Sequence, residues 1–202
     1  MKIEKRGKDQ DRSGVTFSKI KQLFKLLLPK NLKTLSRINK FNQLDPRKFE
    51  KKEGIKIKGI ITDVDECISL NRGEILEENV EHLKKLLKQG YPIVFLSNME
   101  KTNRYEVIPK EIKIMTNFPS KPAPEGFLKA LNSLEIKKEE AIMVGDNYIT
   151  DGGAIPLGIR FVKVKPIFST NESRAFRILR LPVNTMRWFY DWLSRFYERK
   201  SK

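Results

Sequence analysis

The sequence predicts an α/β fold, a doubly wound parallel sheet with basic amphipathic helices flanking it. Three observations predict it. Short apolar, β-branched runs alternate with stretches of helical periodicity between residues 55 and 165. Those runs are almost unbroken by polar residues, as suits strands buried on both faces. Both ends of the 202-residue chain carry helical apolar spacing within strongly basic sequence.

The elements follow in order. Residues 17–28 place Phe17, Ile20, Leu23, Phe24, Leu27 and Leu28 on one side of a helix, with Lys19, Lys21 and Lys25 largely elsewhere. Residues 57–64 (IKGIITDV) read as a buried strand. Residues 78–89 set Val80, Leu83, Leu86 and Leu87 at helical spacing, and Gly90 ends that helix. His82 falls on its polar side and is expected at the surface. Residues 91–96 (YPIVFL) form a second strand and residues 112–115 a weaker third. Residues 124–134 give a helix with Phe127, Leu128, Leu131 and Leu134 on one face. Residues 141–144 (AIMV) run into Gly145-Asp146 as a fourth strand, and residues 158–164 give a fifth. Such alternation implies right-handed crossovers and a parallel sheet covered on both sides. The last helix, 184–199, carries Met186, Phe189, Trp192, Leu193, Phe196 and Tyr197 as a stripe, with Arg187, Arg195 and Arg199 outside it. Arg174, Arg177 and Arg180 precede it, and Pro182 breaks the run. The organisation expected is a basic flank over 1–54, a catalytic domain over 55–165 and a basic tail over 166–202.

Composition narrows the function. The chain has one cysteine, Cys67, and one histidine, His82, which excludes a disulfide framework, a Cys-rich zinc site and a His-rich metal centre. No run of about 18 apolar residues is present, and residues 1–14 lack the apolar segment of a secretory signal, so a cytoplasmic protein is expected. The net charge of +16 is uneven: +12 over 1–58, −2 over 59–164 and +6 over 165–202. Basic flanks around a slightly acidic centre point to an anionic partner, a membrane surface or a nucleic acid. Trp188, Tyr190 and Trp192 suit the headgroup level of a bilayer. The competing expectation is that each helix packs its apolar stripe on the domain.

The chemistry concentrates at the ends of the predicted strands. Asp63 and Asp65 lie two residues apart, so both carboxylates point to one side of an extended chain. Asp146 and Asp151 follow the fourth strand. Clustered carboxylates repel unless a cation compensates, and all-oxygen ligation suits Mg²⁺. Asp63 is then placed as a nucleophile and Asp65 as an acid/base. Ser97 and Asn98 follow the second strand and offer a hydroxyl and an amide to phosphate oxygens. Lys121, in a Pro-rich loop, supplies a cation to offset phosphoryl charge.

This ordered set resembles the haloacid dehalogenase superfamily of phosphohydrolases. "TDVDECI" matches its DxDx(T/V) first motif, "FLSN" its second, Lys121 its third and "GDNYITD" its GDxxxTD fourth, over about residues 55–165. The resemblance implies that Asp63 is the nucleophile and a Mg²⁺ ligand. It implies that Asp65 is the acid/base, with its backbone carbonyl on the metal. Ser97 would bind the phosphoryl group with Asn98 beside it, Lys121 would stabilise it, Asp146 would ligate Mg²⁺ and Asp151 would support that shell. Only 33 residues separate Asp63 from Ser97, so the chain resembles a member without a cap domain, with an open site suited to large substrates. "KLLLPKNLKTLSRI", "SKPAPEGFLKAL" and "MVGDNYITDGGAIPLG" are similar to the YqeG-type branch, which implies a lipid phosphate such as phosphatidylglycerophosphate as substrate. Phosphatase action on nucleic-acid ends, and an inactive scaffold that binds nucleic acid or membrane, are the alternatives. Three residues depart from the pattern: Cys67 where threonine is usual, Glu66 as an added carboxylate, and Met99 after Asn98.

Overall fold

The computed structural model describes residues 17–70, 73–99, 103–116, 118–168 and 181–200. Within them, six strands form one parallel sheet: β1 (Ser36–Ile38), β2 (Gly59–Thr62), β3 (Ile93–Leu96), β4 (Lys113–Met115), β5 (Ala141–Gly145) and β6 (Arg160–Val164). Their order across the sheet is β1-β6-β5-β2-β3-β4. The α-helices are α1 (Phe17–Leu26), α2 (Pro46–Glu53), α3 (Glu77–Lys88), α4 (Pro124–Leu134) and α5 (Leu181–Lys200). From β2 the chain steps outward through β3 to β4, then crosses to the other side of β2 for β5 and β6. Strand order therefore reverses at β2. The crevice beyond the carboxyl ends of β2 and β5 is the switch point where open α/β sheets take ligands.

The two-residue period of the strands sorts the core into two layers. Ile60, Ile93, Phe95, Ile142 and Val144 face one side, packed with Val80, Leu83 and Leu86 of α3. Ile61, Val94, Leu96 and Met143 face the other, with Phe127, Ala130 and Leu131 of α4. Truncating a fully buried ring such as Phe127 to alanine costs about 3–5 kcal/mol. Helix α4 begins at Pro124, where a missing N–H is harmless and the fixed φ favours the first turn. Gly90, at φ +89, turns the chain out of α3 into β3.

The flanks differ from expectation. Within 1–54, β1 pairs in parallel with β6 and adds an edge strand to the sheet. Phe41, Leu44 and Phe49 join the layer under α3. The reason is local: a three-residue strand of sequence SRI has no periodicity to read. The same segment corrects the expectation for His82. Its Nε2–H donates to the Leu44 carbonyl at 2.8 Å, and its ring meets Phe41 edge-on, because residues 41–44 cover that side of α3.

Helix α5 is the larger departure. The face it turns inward is mixed: Tyr190 is buried, Leu193 and Tyr197 of the expected stripe pack against the layer under α4, and Asp191, Ser194 and Glu198 turn in beside them. Arg37 of β1 bonds Asp191 at 2.5 Å, Ser194 at 2.7 Å and Glu198 at 3.0 Å. The Ser194 hydroxyl donates to the Leu32 carbonyl. Tyr190, expected at a membrane interface, is buried and stacked on Tyr148. Met186, Phe189, Trp192 and Phe196 stay exposed, and Trp188 is 67% exposed. On α1, Leu26 enters the core, while Ile20, Phe24 and the following Leu27 and Leu28 are exposed. The side chains of Phe17 and Leu23, and Arg174, Arg177 and Arg180, lie outside the described residues. Among the described residues no helix is long and apolar enough to cross a membrane.

Candidate active site

Three carboxylates meet at the switch point. Asp63, Asp146 and Asp151 are all buried, and each offers an oxygen within 4.8 Å of the others. Parallel pairing of Thr62 with Val144 brings the ends of β2 and β5 level, which sets Asp63 beside Asp146. Asp63 N–H donates to the Val144 carbonyl and locks the two loops together. Asp63 Oδ1 accepts from Val64 N–H at 2.8 Å and lies 2.8 Å from Lys121 Nζ. Among the described residues no hydrogen bond falls on Asp63 Oδ2, so the two oxygens of this carboxylate stand in different surroundings.

Lys121 is the hub. Its Nζ donates to Asp151 Oδ1 at 2.6 Å as well as reaching Asp63. Its backbone N–H donates to Asn98 Oδ1 at 3.0 Å, which ties the loop after β3 to the loop before α4. Asp151 Oδ2 accepts from Asn147 N–H, so both of its oxygens are engaged. Gly145 makes room for this: a Cβ there would stand 2.2 Å from Asp151 Oδ2. Ser97, fully buried, accepts from Met99 N–H through Oγ at the end of β3, the strand beside β2.

Burial sets the electrostatics. It pushes the Asp63 carboxyl from its ordinary 3.8 up to about 7; Asp151 adds to the rise and Lys121 opposes it. Asp146 is likewise driven well above its ordinary value by burial and then by Asp151, against the pull of Arg187. Burial works against the Lys121 ammonium, but Asp151 and Asp63 outweigh it and hold the group above its usual range. Two buried carboxylates that resist ionisation together form a site short of positive charge. Their all-oxygen, preformed donor set fits a hard divalent cation. Burial also keeps Cys67 a thiol, with Asp146 next in effect, so it is no nucleophile.

Asp65 stands slightly outward, held by Arg104 through Nη1 at 2.6 Å and Nη2 at 3.3 Å. Arg104 also lies over the Tyr105 ring and is almost fully buried. Sequence reasoning missed it, since one arginine in a loop carries no spacing signal. It also missed the role of Arg187, read only as a residue off the apolar stripe. Arg187 of α5 donates to Glu66 Oε2 at 2.8 Å and to Asp146 Oδ2. Its signal was the break it makes in an otherwise apolar and aromatic run, 186–190.

Comparison with known proteins agrees with this geometry. The profile of the haloacid dehalogenase-like hydrolases matches residues 5–155. The chain is 26% identical over 125 residues to the probable phosphatase YqeG of Bacillus subtilis, a match covering 60% of this chain and 72% of that protein. It is 29% identical over 112 residues to the pyrophosphatase PpaX of Bacillus cereus, covering 50% of this chain and about half (52%) of that one. Among solved structures, a predicted HAD-like family hydrolase from Porphyromonas gingivalis superposes with a TM-score of 0.44 at 15% identity, over 62% of this chain and 97% of that one. With the profile spanning both acidic loops and Lys121, the chain belongs to the haloacid dehalogenase-like hydrolase family and is an enzyme with that family's phosphatase machinery.

Proposed function

We propose that this protein is a Mg²⁺-dependent phosphomonoesterase that works through an aspartyl phosphate on Asp63, with a lipid phosphate of the phosphatidylglycerophosphate kind as substrate. The observation that carries the chemistry is the asymmetric environment of Asp63. Lys121 and the Val64 N–H fix Oδ1, while no hydrogen bond among the described residues falls on Oδ2.

Asp63 Oδ2 attacks phosphorus, the bond to the ester oxygen breaks, and Asp65 gives that oxygen its proton. Water then attacks the phosphorus of the acyl phosphate while Asp65 takes its proton, and inorganic phosphate leaves with Asp63 regenerated. Lys121 holds Asp63 and offsets charge on the phosphoryl oxygens. Ser97 Oγ and the Asn98 amide group would bind those oxygens. Asp63, the Asp65 carbonyl and Asp146 would hold the cation, and Asp151 would steady the shell through Lys121 and Asn147. Bound there, Mg²⁺ supplies Lewis-acid neutralisation of the transferring group.

The lipid assignment rests on the exposed faces of α1 and α5. Phe24, Phe189, Trp192 and Phe196 lie open to solvent beside Lys21, Lys25, Arg195 and Arg199, an arrangement suited to an anionic bilayer interface. Aromatic residues grouped with aliphatic ones favour lipid over nucleic acid. The test is phosphate release, with Mg²⁺, from phosphatidylglycerophosphate in vesicles, from a 5′-phosphorylated oligonucleotide and from p-nitrophenyl phosphate. Fastest turnover on the vesicles is expected. Preference for the oligonucleotide overturns the lipid reading, and no release from any of the three overturns the phosphatase reading.

A further inference from the structure

We infer that Arg187 is a positioning residue of the metal centre, which makes α5 a working part of the active site. The inference rests on the reading of the carboxylate cluster as a divalent-cation site. It begins from a contact across 41 residues of sequence, between a helix at the end of the chain and the acidic loop after β5. Arg187 is largely buried, and its guanidinium forks: Nη1 donates to Glu66 Oε2 and Nη2 to Asp146 Oδ2. The two carboxylates lie on different loops, one after β2 and one after β5, so a single planar group spans the crevice from its outer side.

The fork fixes which way Asp146 points. With Oδ2 held by Arg187, the other oxygen, on which no hydrogen bond falls among the described residues, is left for a cation. The fork also holds the nucleophile loop. Glu66 sits at φ 60, a left-handed conformation that a non-glycine residue adopts at a cost, and it is buried. Its carbonyl accepts from Ile167 N–H and its carboxylate from Arg187, so the turn that carries Asp63 and Asp65 is pinned from both ends. Arginine is suited to this, since lysine carries one point charge and cannot bridge two carboxylates in a fixed plane. Residues that orient a metal ligand from behind are worth about 10–100-fold in metal affinity.

The test is Mn²⁺ binding to the full-length, metal-stripped protein, counted by the electron paramagnetic resonance signal of free Mn²⁺ and repeated for Mg²⁺ by calorimetry. Neither readout depends on turnover. Arg187→Met is expected to weaken binding about 10-fold or more, and Arg187→Lys by a smaller factor of at least about 3. Asp191→Asn loosens the same helix at its contact with Arg37, away from the site, and is expected to leave metal affinity unchanged. Near-ultraviolet circular dichroism of Trp188 and Trp192, both on α5, reports whether the helix stays docked. Unchanged or tighter binding in Arg187→Met overturns the inference, and so does an equal loss in Asp191→Asn. If Arg187→Met does not fold, Arg187→Lys decides alone, and wild-type affinity in that variant overturns it. A wild type that binds no divalent cation overturns the proposed function as well. A wild type that binds one, with an affinity blind to Arg187, overturns this inference only.

Discussion

Replacing the nucleophile should make the metal-free protein more stable while it abolishes turnover. Burial and Asp151 lift the Asp63 carboxyl from 3.8 to about 7. Above that pH the folded state carries an ionised group that it disfavours relative to the unfolded chain. At about 1.4 kcal/mol per pH unit, the rise from 3.8 to about 7 makes the penalty on the order of 4 kcal/mol. The neutral amide introduced by Asp63→Asn has no acidic proton to lose and escapes the penalty. For a chain of this length 1 kcal/mol moves Tm by about 2–4 °C, so Asp63→Asn should melt roughly 8–16 °C higher than wild type in EDTA at pH 8. The sign follows from proton counts. A carboxyl with a raised folded value keeps its proton in the folded state while the unfolded chain has lost it, so wild-type stability falls as pH rises from about 4 through 7. At pH 4 the difference between the two proteins should vanish. Differential scanning calorimetry at the two pH values checks this. A Tm for Asp63→Asn equal to or below wild type at pH 8 would refute the claim that the cluster is short of positive charge.

Gly145→Ala should fold yet lose at least about 10-fold in turnover, because its Cβ displaces Asp151 and with it Lys121; steady-state kinetics on p-nitrophenyl phosphate reads this, and wild-type rates would contradict it. Arg37→Ala removes the contacts that dock α5 and should cost about 2–4 kcal/mol, read as a lower urea midpoint. Despite their burial, Arg37 holds Asp191 and Glu198 below their ordinary values, and Thr34 assists with Glu198, so the dock is present above about pH 4.5 and is lost as pH falls through those lower values. Acid titration of tryptophan fluorescence should therefore report release of α5 only below the ordinary carboxylate range, and release at pH 6 would be the wrong result. Trp192→Ser with Phe196→Ser should abolish flotation with anionic vesicles while p-nitrophenyl phosphate turnover is kept; unchanged flotation would remove the bilayer from the account.

The parts legible in the sequence are those with strong periodicity or fixed spacing. The helix expected over 124–134 forms with those bounds, and the central strands form within a residue or two of the expected runs, because apolar runs this short between glycine and proline signals fit little else. Asp63, Lys121, Asp146 and Asp151 were singled out from motif order, and they converge because β2 and β5 are neighbours. What escaped was tertiary. β1 is too short and polar to carry a pattern, and its place is dictated by the exposed edge of β6. The orientation of α5 is legible only in part, because its inward face mixes apolar and polar contacts that helical periodicity does not separate. Its partners are Arg37, two acidic loops and the core around Tyr148, so Asp191, Ser194 and Glu198 turn inward with Tyr190, Leu193 and Tyr197, while Phe189, Trp192 and Phe196 turn out.

The central claim is a covalent step at one oxygen. Rapid quenching of the Mg²⁺-loaded enzyme during turnover, followed by borohydride, reduces an aspartyl phosphate to homoserine, and mass spectrometry of the peptide spanning residues 59–84 locates it. The account requires the mark at Asp63, present with a phosphomonoester and absent without one. A mark at Asp65 or Asp146, or turnover with no mark on any carboxylate, would contradict it.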